Sequence, residues 1–346
     1  MEKSEKLVLI DGHAILHRAF HALPPLTTSG GQQAGAVFGF CSMLLRVIQD
    51  LKPGFLAVAF DLPKPTFRQK LYANYQAQRP QMAEELSSQV EVVHQVLQVM
   101  EIPIFEKEGY EADDLIGTLA LAATGPVGLH PRPTSSVSAS RRQIPAGARW
   151  GSPAPATPPP PRIEVIIVTG DRDMLQLVEE RVKVYAPIKG ITQTILYDEK
   201  LVEEKYGLKP SQWVDYKALM GDPSDNYPGV TGVGPKTAMN LLKKFGTLEK
   251  IYENPSQLPE KLASSLIRDK EKVDLAKKLA QIDIDVPLEF DLGKCRLKDL
   301  KNPKVENLFE EFEFKSLWKR INGGKQTRRV KEKPHKKENK DQLKLI

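Results

Sequence analysis

Cysteine is nearly missing from this chain: only Cys41 and Cys295 stand among 346 residues. Two thiols so far apart exclude a disulfide framework and a thiolate-built zinc cluster, so any metal must be held by oxygens or a few histidines. Long apolar runs are missing as well, and no segment is able to span a bilayer as a helix. Only four apolar residues, Leu7–Ile10, separate the charged start from Asp11. That is too short for a signal-peptide core, and a cytoplasmic protein without membrane contacts is expected. No Gly-x-x-x-x-Gly-Lys loop, Ser–His–Asp order or nucleophilic-cysteine motif occurs, which removes the common rival chemistries. Acidic residues vanish between 126 and 162, a segment that holds ten of the 27 prolines. A packed element cannot be made from it, and it reads as a disordered insertion.

What is present is enough apolar residue, 40%, to fill a real core, and a length suited to one large domain or two smaller ones. The net charge of +6 hides an asymmetry. Lys319–Ile346 carries eleven Lys/Arg against three Asp/Glu, whereas residues 1–318 carry 39 basic and 41 acidic groups. Residues 321–346 are therefore expected to be a disordered basic tail. Such a tail is either a solvated end or a source of non-specific attraction to nucleic acid.

Leu7–Ile10, Phe55–Phe60 and Glu164–Val168 are short runs rich in Val, Ile and Leu, with helical patterns between the first two. This alternation predicts an α/β fold around a mostly parallel sheet flanked by helices. Val37, Cys41, Leu44 and Ile48 form one helical stripe, and Leu86, Val90, Val93, Leu97 and Met100 another. After about Leu175 the pattern turns helical through Glu199–Tyr206, Ser211–Met220, Pro235–Phe245 and Lys261–Leu279. A weak strand at Val286–Phe290 and a last helix near Val305–Lys319 close the fold. The expected division is an α/β core over 1–175, a helical subdomain over 176–320, and the tail.

The chemical signal is where the acids fall. The first strand ends at Asp11, the second at Asp61, and the third leads to Asp171 and Asp173. Open parallel sheets build their sites at the carboxyl ends of strands. One acid there is an ordinary turn or cap; three aligned acids repel unless a cation sits among them. Glu111, Asp113 and Asp114 precede a helical pattern, where one of them serves as an N-terminal cap. Asp222 and Asp225 lie three apart at a helix end, and a capping turn accounts for them equally well. A set of oxygen ligands this large suits two Mg²⁺ ions, or Mn²⁺ in their place, in a phosphodiesterase.

Two further segments point to nucleic acid. Gly229-Val-Thr-Gly232-Val-Gly234-Pro235-Lys236-Thr237 joins two helical patterns. Its glycines allow close backbone approach, and the free amides of the following helix seat a phosphate. Thr66–Pro80 interleaves Arg68, Lys70 and Arg79 with Phe67, Tyr72 and Tyr75. That mixture suits a single strand, with charges on phosphates and rings on bases; the competing reading packs the aromatics into the core.

Assembled, these residues resemble the flap endonuclease family of 5′ nucleases, which includes the 5′ nuclease domain of bacterial DNA polymerase I. The motifs are Leu-Ile-Asp11-Gly-His with Arg18, Ala-Phe-Asp61, Phe67-Arg68 before Tyr75-x-x-x-Arg79-Pro, and Gly-Tyr-Glu111-Ala-Asp113-Asp114. Thr-Gly-Asp171-Arg-Asp173, Gly-Asp222-Pro-Ser-Asp225-Asn and the glycine hairpin follow in order. The resemblance implies a PIN-like core with a helix-hairpin-helix motif, and a two-metal nuclease acting at 5′ ends, nicks, RNA/DNA primer junctions and 5′ flaps. It implies that Asp11, Asp61, Glu111 and Asp113 surround one metal and Asp171, Asp173 and Asp222 the other, with Asp114 and Asp225 further out. By the same likeness Arg18 and Arg79 hold the scissile phosphate, Tyr75 stacks on a base, and residues 62–100 form an arch over the single strand. The hairpin, with Gly229, Gly232, Gly234, Lys236 and Thr237, grips duplex DNA and holds K⁺ through carbonyls.

The chain departs from the family in three places. Gln76 stands where the family carries lysine after the tyrosine, the Pro-rich insertion is added, and the sequence stops where a polymerase would begin. A stand-alone monomeric nuclease working beside a separate DNA polymerase is therefore expected. Two other readings are a flap-binding protein that has lost catalysis, motivated by Gln76, and a metal-dependent phosphatase of small molecules. The second of these leaves the hairpin and the basic-aromatic stretch unexplained.

Overall fold

Strands of Val, Ile and Leu buried on both faces make the centre of this protein, and their ends set the site. The computed structural model describes residues 5–125, 163–190 and 193–323. The expected insertion at 126–162, and the basic tail beyond 323, lie outside the described residues. One sheet holds β1 (Glu5–Asp11), β2 (Phe55–Ala59), β3 (Ile104–Phe105), β4 (Ile163–Val168), β5 (Val182–Lys189) and β6 (Gln193–Tyr197) in the order β3-β2-β1-β4-β5-β6. All neighbours are parallel except β5 and β6. The chain runs outward from β1 to β2 and β3, then crosses to β4 on the other side, so the topological switch lies between β1 and β4.

Alternate strand residues feed two cores. Val8, Ile10, Leu56 and Val58 face α2 (Gly35–Leu51) and α4 (Glu84–Val99), beneath α1 (Gly12–Ala22). Leu7, Leu9, Phe55 and Ala57 face α5 (Ala112–Thr124). The expected stripes hold: Val37, Cys41 and Leu44 on α2, and Leu86, Val93 and Leu97 on α4, are all buried. A third cluster joins α7 (Trp213–Met220), α8 (Pro235–Phe245), α9 (Leu248–Glu253), α10 (Glu260–Arg268) and α11 (Lys270–Ala280). Among the described residues no helix is long and apolar enough to cross a membrane.

Several expectations need correction. The sheet does not end near residue 175: the β5–β6 hairpin extends it to Tyr197, where α6 (Glu199–Tyr206) begins. Pro187, an apparent strand breaker, is accommodated because the β5–β6 register shifts between Pro187 and Lys189. Val286–Phe290 forms no ladder; Val286 instead donates its N–H to Thr118 Oγ1, and Leu288 and Phe290 pack on the second core. The expected single helix over 261–279 is broken at Asp269, a buried carboxylate that accepts the N–H of Thr231 at 2.9 Å. The last two helices, α12 (Pro303–Glu311) and α13 (Lys315–Ile321), leave the helical part and pack on the first core. The arch expected over 62–100 is no free span either, since α4 is packed into that core.

One ion pair ties the helical part to the sheet. Arg68, on the short α3 (Phe67–Leu71), is 2% exposed, and Asp114 on α5 is 0% exposed. The guanidinium donates to both Asp114 oxygens at 2.7 and 2.8 Å, and to the carbonyls of Leu279 and Gln281, each at 2.9 Å. Asp114 also accepts the N–H of Glu111 at 3.0 Å and of Asp283 at 2.8 Å. Four of the five guanidinium N–H groups and both Asp114 oxygens are thereby met, and Glu111 lies 3.4 Å from the guanidinium, which is what makes burial of the charges tolerable. It follows that Arg68 is not free to contact DNA, contrary to expectation, and that both oxygens of Asp114, expected as an outer ligand, are engaged by protein donors. Removing one partner leaves the other charge stranded: Arg68→Met should cost about 3–5 kcal/mol in urea unfolding. A loss within about 0.5 kcal/mol, ordinary for an exposed substitution, would show that the pair is not structural.

Candidate metal centre

Parallel register carries the acids to one edge. Asp11 is paired beside Ala59 and Ile10 beside Val168, so Asp11, Asp61 and Thr169–Asp173 emerge together at the switch point. Helix starts add the rest: Glu111 caps α5, with Asp113 in its first turn, and Asp222 follows the end of α7.

The first group contains Asp11, Asp61, Glu111 and Asp113, with Asp171 between it and the second group, acting on the carboxyls of both. Asp11 accepts from Ala14 N at 2.9 Å and from Thr169 Oγ1 at 2.7 Å. Asp61 accepts from Ala112 N at 2.8 Å, while its own N–H donates to His13 Nδ1 at 3.1 Å. That bond fixes the neutral His13 tautomer with its proton on Nε2. Glu111 accepts from Thr66 Oγ1 at 3.1 Å and Tyr75 OH at 3.3 Å. Asp171 accepts from Asp173 N at 2.8 Å.

Burial and mutual repulsion leave their mark on these acids. Burial first, then the charge of Asp61, pushes the Asp11 carboxyl up to about 7. Burial raises Glu111 to about 7 against the pull of Arg68. Asp113 lies well above the usual carboxylate range, through burial and then Asp171 and Asp11. These are acids held where they are costly to ionise.

The second group is Asp173, Asp222 and Asp225, each with an oxygen within 4.8 Å of the others. The ammonium of Lys217 bridges two of them, 2.7 Å from Asp173 and hydrogen-bonded to Asp222. Asp173 is still pushed up to about 7 by burial and Asp171. Against the push of burial, Lys217 and Ser224 hold Asp222 below the ordinary value. Ser224 N–H and Oγ donate to Asp222 at 2.8 and 2.6 Å, a capping turn that also fixes the carboxylate's orientation. Asp225 accepts from Arg79 at 2.6 Å and from Gln76 Nε2 at 3.2 Å. An open cavity of about 310 Å³ lies over this group, bordered also by Gly170, Asp171 and Arg172. Oxygen-only donors with raised proton affinity fit a hard divalent cation such as Mg²⁺ or Mn²⁺.

Other expected residues are scattered in role. Tyr75 is 4% exposed within the third core, so its ring does not lie open to a base. Arg18 is half-buried on α1 and donates to Gly190 O at 2.9 Å. Lys70 is exposed. In the hairpin, Gly229 is required by packing, since a Cβ there would meet Gly221 N at 2.3 Å. Gly232 is required by its φ of +83°, a left-handed conformation that glycine adopts freely. Gly234 caps α8, where Lys236 and Thr237 stand in the first turn. Lys217 took no part in the reading from sequence, and Thr169 and His13 entered it only within motifs, with no role assigned. A lysine alone on the inner side of an otherwise apolar helix turn (Tyr216-Lys217-Ala218) was the available signal for the first.

An open parallel sheet whose switch point gathers carboxylates around a cavity is the arrangement of cation-dependent phosphoryl-transfer enzymes. Two family descriptions match and together cover more than half the chain. They are the 5′-3′ exonuclease N-terminal resolvase-like domain over residues 6–130, and the 5′-3′ exonuclease C-terminal SAM fold over 208–303. The chain belongs to the 5′-3′ exonuclease family. It is 39% identical over 318 residues to DNA polymerase I of Bacillus caldotenax, covering 92% of this chain and 32% of that protein. The match to Bacillus subtilis DNA polymerase I is 36% over 322 residues, 93% of this chain and 33% of the relative. The chain thus spans about a third of the length of these relatives. In fold it is similar to the bacteriophage T5 5′-exonuclease solved with divalent metal ions (zinc), with a TM-score of 0.59 at 18% identity, covering 90% of this chain and 99% of that one.

The raised carboxyls give a pH prediction. A group whose folded value exceeds its unfolded one stabilises the fold at low pH and loses that contribution as pH rises through the folded value. Asp11 and Asp173, raised from 3.8 to about 7, should make the metal-free protein less stable on going from about pH 5 to about pH 8. Mn²⁺, which must displace those protons, should raise the melting temperature more at the higher pH. An equal Mn²⁺ shift at both pH values would contradict the crowding.

Proposed function

We propose that this chain hydrolyses DNA phosphodiesters at 5′ ends and at the base of 5′ flaps, in primer removal and repair beside a DNA polymerase, as a monomer. The observation that carries this reading is the pair of acidic groups meeting at the switch point, with cations along the cavity rim. Two Mg²⁺ ions, or Mn²⁺, would supply there an activated water and stabilisation of both oxygens of an in-line displacement. Asp11, Asp61, Glu111 and Asp113 would hold one, and Asp171, Asp173 and Asp222 the other, with Asp225 beside them. Thr169 and His13 keep the first group in place, and Lys217 offsets the second. The α8 start, with Lys236 and Thr237, receives a duplex phosphate, and carbonyls of the 229–234 turn take K⁺.

In a 5′-labelled flap assay, release of a short labelled fragment should require Mg²⁺ or Mn²⁺. Asp113→Asn should cut cleavage by about a hundredfold or more, while raising the melting temperature in EDTA because a repelling charge is gone. Flap binding with no fragment released in either metal would favour the binding-only reading instead.

Gln76 supplies no charge, and its amide is spent on Asp225. One preorganised cationic donor is worth about 2.7–4 kcal/mol in a transition state. Gln76→Lys should therefore raise the single-turnover rate more than it tightens duplex binding; an unchanged rate rejects a role for charge at this position.

A further inference from the structure

Three cationic side chains border the cavity over Asp173, Asp222 and Asp225: Arg79, Lys217 and Arg172. The first two are already committed. Arg79 is bonded to Asp225 at 2.6 Å, and Lys217 bridges Asp173 and Asp222. Arg172 differs in every respect. It sits between Asp171 and Asp173 at the start of the turn Asp173–Leu177, is exposed, and pairs with no carboxylate among the described residues. Burial raises the hydroxyls of Tyr206 and Tyr216, and the charge of Arg172 acts against that rise in both. Those two rings pack on Trp213 at 5.0 and 5.7 Å between centroids, and both lie near enough to Arg172 to feel its charge.

An exposed arginine with its donors unspent, at the mouth of a carboxylate-lined cavity, is suited to a phosphate: its planar fork presents two parallel N–H groups to two oxygens. We propose that Arg172 grips a non-bridging phosphate oxygen of the substrate strand next to the second acidic group. This rests on the nuclease reading above and deepens it by naming a contact. The carboxylates repel a phosphodiester, and the cations among them are consumed internally. Arg172 therefore brings net attraction to this rim.

The test compares the full chain with Arg172→Gln and Arg172→Lys, using a labelled 5′-flap duplex with Ca²⁺ replacing Mg²⁺. The plot of log affinity against log salt should become shallower in Arg172→Gln by about 0.7–0.9, the loss of one phosphate contact. Arg172→Lys should restore the slope. Melting temperature and the Mn²⁺ binding isotherm should stay at their wild-type values in both variants, as a contact made only to DNA requires. An unchanged slope overturns the proposal, and so does a shift in Mn²⁺ affinity without a change in slope, which would make Arg172 a counter-charge for Asp171 and Asp173. A wild-type chain that neither binds nor cuts the flap defeats the nuclease reading itself; a wild type that cuts, with an unaltered Arg172→Gln slope, defeats only this contact.

Discussion

Like charges brought together by a rigid sheet repel, and most of the polar detail in this protein answers that repulsion. β1, β2 and β4 are locked in register, so Asp11, Asp61 and Asp171 cannot drift apart to relieve it. The relief comes from donors instead. Backbone N–H groups of Ala14, Ala112 and Asp173, with the Thr169 hydroxyl, each take one oxygen in the first group or on Asp171 beside it. In the second group ammonium and guanidinium do the same work. Asp113 receives no such donor in the described structure, and it stands well above the ordinary carboxylate range. A side chain so placed destabilises the metal-free fold, a cost that a cation bound among these acids would offset.

Neighbouring acids with opposite fates show how helix geometry sorts structure from chemistry. Asp113 and Asp114 are adjacent, yet successive side chains on a helix diverge by about 100°. Asp113 turns to the strand ends, whereas Asp114 turns inward to Arg68. Asp269 repeats the inward case at the hairpin, where it accepts Thr231 N–H and pairs with Arg268 and Lys272. Asp114, through Arg68, fixes the helical part against the sheet, and Asp269 holds the hairpin to the junction of α10 and α11.

The sheet and the acidic edge were legible in the sequence because each signal was local: a short apolar run, then an acid. β1, β2 and β4 fall where their runs lie, and Cys41 is core as its stripe implies. The partner of a charge is not local. Arg68 and Tyr75 read as solvent-facing because cations alternate with rings around them, but their partners, Asp114, Leu279 and Glu111, lie 36 to 211 positions away. Lys217 was overlooked for the same reason. β5 and β6 were hidden by Pro187, since nothing in the sequence announces that a register shift will absorb it.

That non-local arrangement changes what the stretch from Tyr72 to Arg79 does. Read as a strip for a single strand, it would present its cations and rings outward. In the fold it is docked on both acidic groups at once: Tyr75 donates to Glu111, and Gln76 and Arg79 converge on one oxygen of Asp225. Gln76 also gives its N–H to the Asp225 carbonyl at 2.9 Å, from a left-handed φ of +55°. Backbone and amide together seat Gln76 on Asp225, so a lysine there would start beside that carboxylate, at the rim where a substrate phosphate would lie. The backbone bond fixes where the side chain at position 76 begins, and its charge would meet Asp225 as well as the substrate.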